Sequence, residues 1–350
     1  MAEEKVKEEQ ETKEEHKVKE FSLEDLMNPI MSRVEKSING ICCTWFGSPG
    51  LGKTPVAVKM PNPLYLAFGK YGVSGLNNVP IVPIMSWRDF KKFTSTFCDR
   101  KNYDALSQKY TCVCLDEMEI LYKYCEEFVA HTEGVNKIKE GNGGYGLWGD
   151  LKTEWESEML KIIGSGFCVI FILHSCTNDD GKAIPVGDPK RMLPILINHS
   201  DIVGYVINNG VNPETGKPIH SSLGLAGTKE YFARTRNEYF DPIIEDFTAD
   251  NFIQAYYTAL DRQEKAEGIA PVEKEDRDKI YERKKRNFDD VMTECSELGG
   301  KVIEKFGIDP LTAIVDEVLG AGAKVQNCTP KQQEAVEVVI DKIKALLEEE

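Results

Sequence analysis

Apolar residues along the chain fall into two rhythms. Short, nearly unbroken apolar runs occupy residues 40–46, 64–68, 81–85, 110–115 and 167–173. Between them lie stretches with helical spacing, as in residues 87–97, where Phe90, Phe93 and Phe97 recur, and in the amphipathic stretch 148–163. Runs without polar alternation predict strands covered on both faces. Strands that alternate with helices predict a mostly parallel, doubly wound sheet flanked by helices, an α/β fold. A Gly-rich loop follows the first strand, and a helix opens over residues 55–59 with Pro55 in its first turn, where a missing N–H costs nothing.

The texture changes after Ser200. Residues 201–208, 219–222, 230–236 and 239–244 predict further strands around a Pro213-Glu214-Thr215-Gly216 turn, a β-rich extension of the core. Upstream, Phe21, Leu23, Leu26, Ile30, Met31 and Val34 predict one or two short helices over residues 21–38. The domain reading is therefore a polar N-terminal segment 1–20, an α/β core 21–261, a charged helical linker 262–300 and a small helical C-terminal region 301–350. In that last region Thr329 is an N-cap and Pro330 the first helical residue. Val336, Val339, Ile340, Ile343 and Leu347 then form an apolar stripe.

Composition narrows the function classes. With 41% hydrophobic and 29% charged residues over 350 positions, the chain reads as an ordinary globular protein. Its apolar runs are too short to span a bilayer, and its first residues lack the apolar core of a signal peptide. The expectation is a cytoplasmic protein without a membrane partner. Ten cysteines show no CxxC pair and no zinc spacing. Cys112, Cys114 and Cys168 sit within apolar runs and read as buried thiols. The net charge of −15 works against a uniformly basic nucleic-acid-binding surface, although the acid is unevenly spread. Residues 1–20 hold eight Glu against five Lys, and the chain ends in Glu348-Glu349-Glu350. Such acidic tails are solvated and disordered, or recruit a basic protein partner.

The chemistry is concentrated in one motif. Gly47-Ser48-Pro49-Gly50-Leu51-Gly52-Lys53-Thr54 fits GxxxxGK[ST] at every defined position, and Pro55 continues it into the helix. Glycines let backbone N–H groups converge on phosphates, and the helix N-terminus adds positive potential. Lys53 reaches the β- and γ-phosphates of ATP, while the Thr54 hydroxyl ligates Mg²⁺. The run Thr111-Cys112-Val113-Cys114-Leu115-Asp116-Glu117 ends a second strand in acid. Asp116 is placed to hold Mg²⁺, and Glu117 to orient or deprotonate the attacking water. His174, at the end of the run 167–173, is placed to sense the γ-phosphate.

The order of these features resembles the RecA-like P-loop ATPases common in phage genomes, some of which are single-strand annealing proteins. The resemblance spans residues 40–255 and rests on the P-loop, Ser86-Trp87-Arg88-Asp89-Phe90, the Asp116 strand, Gly144-Tyr145-Gly146-Leu147-Trp148-Gly149-Asp150-Leu151, Phe171-Ile172-Leu173-His174-Ser175, Asp201-Ile202-Val203-Gly204 and Phe232-Ala233-Arg234-Thr235-Arg236. It implies a RecA-like core acting on single-stranded DNA as a homo-oligomer, with His174 at the sensor position. Arg234 and Arg236 match a basic segment that contacts a neighbouring subunit's phosphates. One departure stands out: after the second strand the chain reads Phe68-Gly69-Lys70-Tyr71-Gly72, without the acid that such ATPases often carry there. That shifts weight onto Glu117. Candidate DNA contacts are Lys91-Lys92, Pro189-Lys190-Arg191, Arg283-Lys284-Lys285-Arg286, and Lys137 and Lys139 in a Gly/Asn-rich loop over 133–145. A remodelling or loader ATPase of the AAA+ type, acting on a protein, is the alternative that Asp116-Glu117 leaves open; a small-molecule kinase is a weaker third.

Overall fold

The computed structural model describes residues 26–69, 75–274 and 286–348. They divide into two units, one within Ser32–Arg277 and one built from the C-terminal helices.

The larger unit holds eleven strands among its described residues. These are β1 (Cys42–Phe46), β2 (Pro63–Phe68), β3 (Ile81–Ile84), β4 (Cys112–Asp116), β5 (Cys168–Leu173), β6 (Ser175–Thr177), β7 (Ala183–Pro185), β8 (Ile202–Ile207), β9 (Ser222–Gly224), β10 (Arg234–Thr235) and β11 (Ile243–Ile244). The main sheet runs β11-β9-β8-β1-β5-β4-β2-β3, with β10 also on β8. The block from β3 to β8 is parallel, and β9, β10 and β11 add antiparallel edges. β6 and β7 form a separate antiparallel hairpin. This order places β5 between β1 and β4, so the tips of all three open on one edge of the sheet, where α/β folds keep their ligands.

Six helices accompany the parallel strands: α1 (Lys53–Ala57), α2 (Trp87–Phe97), α3 (Arg100–Ser107), α4 (Met118–Thr132), α5 (Trp148–Ile163) and α6 (Leu193–His199). A seventh, α7 (Ala249–Glu267), follows β11. Alternate strand residues point to opposite faces, and both faces are apolar, which is why the strands read as unbroken runs. Phe46, Leu66, Leu115 and Phe171 share a core with Phe90 of α2, Leu121 of α4 and Trp155 of α5. Their neighbours Trp45, Tyr65, Cys114 and Ile172 share another with Val56 of α1 and Phe252 of α7. Caps set helix starts: the Ser86 and Thr248 side chains accept from the N–H of Asp89 and Asn251.

The described residues of the smaller unit include three long helices, α8 (Phe288–Phe306), α9 (Ile308–Leu319) and α10 (Gln333–Glu348). Thr329 caps a 3₁₀ turn, Pro330–Gln332, that leads into α10. Val336, Val339, Ile340 and Ile343 of α10 are buried with Val291, Cys295 and Val302 of α8.

Several expectations are corrected. Of residues 21–38, positions 21–25 lie outside the described residues, and no helix continues past residue 28. Instead Val34 and Lys36 exchange backbone hydrogen bonds with Val272, and Pro29 cannot donate to a helix in this stretch. The P-loop helix starts at Lys53 rather than at Pro55. Residue 261 lies inside α7 and residue 300 inside α8, which buries Val291 and Cys295 before that position and Val302 after it. β8, expected in the β-rich extension, is a central parallel strand against β1. The reading of the cysteines stands: all ten are free thiols, and Cys112, Cys114 and Cys168 are buried.

Candidate nucleotide-binding site

The loop after β1 is shaped by its glycines. Gly50 and Gly52 take φ of 79° and 89°, backbone that L side chains resist. Gly47 is needed for room: a Cβ there would lie 2.9 Å from the Val206 carbonyl oxygen of β8. No side chain caps the N-terminus of α1, so its first N–H groups remain available to phosphate oxygens. Ser48, Pro49, Gly50 and Pro55 are exposed, Leu51 packs partly against the α7 core, and Lys53 is buried.

Lys53 Nζ donates to the Gly47 and Ser48 carbonyl oxygens at 2.7 and 2.8 Å, folding the ammonium back into its own loop. The Thr54 hydroxyl donates to Asp116 Oδ2, which also accepts from the Tyr65 hydroxyl at 3.2 Å. Parallel pairing through β5 brings these residues together across 62 positions of chain. Burial pushes the Lys53 ammonium below its usual range and the Asp116 carboxyl above its own. Neither charge has an oppositely charged partner in direct contact, an arrangement that a triphosphate with a divalent cation would complete. Thr54 and Asp116 fit Mg²⁺: a hydroxyl and a carboxylate in contact match an ion that takes few protein ligands and completes its shell with phosphate and water. Among the described residues no three His, Cys, Asp or Glu side chains form a metal cage.

Glu117 is the N-cap position of α4, directly after Asp116, and is partly exposed. His174 follows β5, in the strand position between the P-loop and Asp116. Sequence spacing alone missed Glu119. Its Oε1 accepts from the His174 backbone N–H at 2.6 Å and lies 3.5 Å from His174 Nδ1. The bond to Glu119 raises the His174 imidazole above its usual range, with burial and Lys53 opposing. The signal available in the sequence was an acid in the first turn of the helix following the acidic strand end.

Arg234 and Arg236 do not join this cluster. Arg234 sits opposite Val203, near the start of β8 and thus at the far edge of the sheet from the P-loop. Its guanidinium donates to the carbonyls of Ile197, Asn198 and Ser200, at 2.6, 3.1 and 3.1 Å, closing the C-terminus of α6. Arg236 donates to Asn198 and approaches Asp201. Among the basic candidates, Lys91 pairs with Glu154, Arg191 pairs with Asp188 and stacks over Trp148, and Arg286 pairs with Glu294. Lys137 and Lys139 flank Ile138, which is buried and pins its loop. Lys70, Tyr71, Gly72, Arg283, Lys284 and Lys285 lie outside the described residues. No helix among the described residues is long and apolar enough to cross a membrane.

Residues 39–237 match the family model described as AAA domain. The SPbeta prophage-derived uncharacterized protein YorG of Bacillus subtilis (strain 168) is 40% identical over 325 residues, covering 93% of this chain and 99% of the relative.

Proposed function

This chain belongs to the AAA domain family, and from that premise we propose that it is a Mg²⁺-dependent ATPase of the phage RecA-like type, acting on single-stranded DNA in recombination or strand annealing. The observation that carries the ATPase reading is the contact between Thr54 and Asp116 beside the buried Lys53. In use, Lys53 leaves the Gly47 and Ser48 carbonyls for the β- and γ-phosphates, and the loop N–H groups bind the same phosphates. Thr54 and Asp116 would hold Mg²⁺, which would supply neutralisation of charge on the phosphate oxygens. Glu117 orients the attacking water and takes its proton. Assembly as a homo-oligomer and DNA as substrate rest on the resemblance and on the prophage origin of the relative.

The test is ATP turnover by the purified chain with and without single-stranded DNA. Stimulation by DNA, with binding that weakens steeply as salt rises, is the expected result. Lys53→Ala is expected to abolish nucleotide binding. Glu117→Gln is expected to bind ATP but turn it over about 10²–10⁴-fold more slowly. Turnover that ignores DNA and responds to a protein would favour the second reading, a remodelling or loader ATPase, which the adjacent Asp116 and Glu117 support. An active Glu117→Gln variant would reassign the base.

A further inference from the structure

Glu119 has no part in the phosphate and Mg²⁺ contacts assigned above, yet it sits among them. It lies in the first turn of α4, with a side chain 16% exposed. One carboxylate oxygen is occupied by the His174 backbone N–H. The other, Oε2, is buried without a hydrogen-bond partner. Half-satisfied buried carboxylates are costly, so their retention calls for a reason. The same carboxylate acts electrostatically on Lys53, together with Asp116 and Glu117. It therefore links the P-loop lysine to the tip of β5.

We propose that Glu119 is a positioning residue: its carboxylate fixes His174 so that the imidazole meets the terminal phosphate, and so sets a preference for nucleoside triphosphate over diphosphate. This rests on the nucleotide-site reading above. The bond to the His174 N–H sets the course of the chain where β5 ends, and the nearby ring nitrogen takes its orientation from the same oxygen. The groups facing His174 are Glu119 and Glu117 at the start of α4 and Lys53 of α1. The two acids favour the imidazolium and Lys53 opposes it. Because the net direction is upward, the cationic ring persists to higher pH than in an unpartnered histidine. Triphosphate preference is thus full at low pH and lost as pH rises through that raised value.

The experiment is calorimetric titration of the full chain with ADP and with a non-hydrolysable ATP analogue, Mg²⁺ present, across the neutral pH range. For the wild type, the ratio of triphosphate to diphosphate affinity is expected to fall about tenfold from the acid to the alkaline side, the difference between a charge-assisted and a neutral hydrogen bond. Glu119→Gln keeps an oxygen for the His174 N–H but no charge. Its fall is expected at lower pH, with ADP affinity and melting temperature unchanged. His174→Gln is expected to remove the pH dependence, and adding Glu119→Gln to it should change nothing further. A Glu119→Gln variant with the wild-type profile would overturn the proposal, as would equal loss of both affinities, which marks a merely structural role. Should that variant not fold, an unaltered pH profile in His174→Gln overturns the proposal by itself. A wild type that binds neither nucleotide would overturn the nucleotide reading along with it.

Discussion

Lys53 and Asp116 carry opposite charges into a place where the two residues are 6% and 7% exposed. Neither charge is answered by the other directly: Lys53 turns to loop carbonyls, and Asp116 takes hydrogen bonds from two neutral hydroxyls. Neutral donors compensate a buried carboxylate only in part, which is why its proton affinity rises. Asp116→Asn removes the charge while leaving an oxygen to accept from Thr54 and Tyr65. Without Mg²⁺ the variant is expected to match the wild type or exceed it by about 1–2 kcal/mol in denaturant titrations. Addition of Mg²⁺ and nucleotide should no longer raise its stability. A clear loss of stability in the metal-free variant would show that Asp116 is structural. The acid at 116 was legible because two motifs had to meet. Glu119 was not, because its partner is a backbone N–H 55 residues away.

At the scale of elements, the decisive fact is that β5 lies between β1 and β4. That order sets the P-loop and Asp116 on either side of His174, and no local pattern encodes it. The Arg234 segment is the counterexample to motif reading. Its strand, β10, is two residues long and pairs antiparallel with β8, which aims the arginine at the end of α6. The last carbonyls of a helix lack internal partners, and a guanidinium satisfies three of them here. Arg234→Ala is expected to lower stability by about 1–3 kcal/mol, read by denaturant unfolding, with ATP turnover per folded molecule unchanged. A folded variant that loses turnover instead would restore the phosphate-contacting role implied by the resemblance.

For the molecule as a whole, the hydrophobic residues settle into separate cores. Two lie on opposite faces of the sheet, and a third is confined to α8, α9 and α10. A core that takes its residues from its own helices can melt by itself. Scanning calorimetry with Mg²⁺ and a non-hydrolysable ATP analogue is therefore expected to raise one of two transitions, that of the unit containing Lys53, and leave the other in place. A single transition that moves as one would show the units to be coupled.

The periodic elements were readable from residue order because each buries a regular set of apolar positions. Helices α2 and α5 and the stripe of α10 follow directly from their spacing, and the central strands from their unbroken apolar runs. The P-loop was equally legible, since its chemistry is carried by adjacent residues whose spacing is set by the phosphates themselves. What tertiary structure decided was everything that depends on residues distant in the chain. Strand order placed β5 within the site, backbone pairing with Val272 replaced a helix near residue 35, and helix-end carbonyls engaged Arg234. In each case a backbone group chose the partner, and apart from proline's missing N–H backbone groups are the same at every position of a sequence.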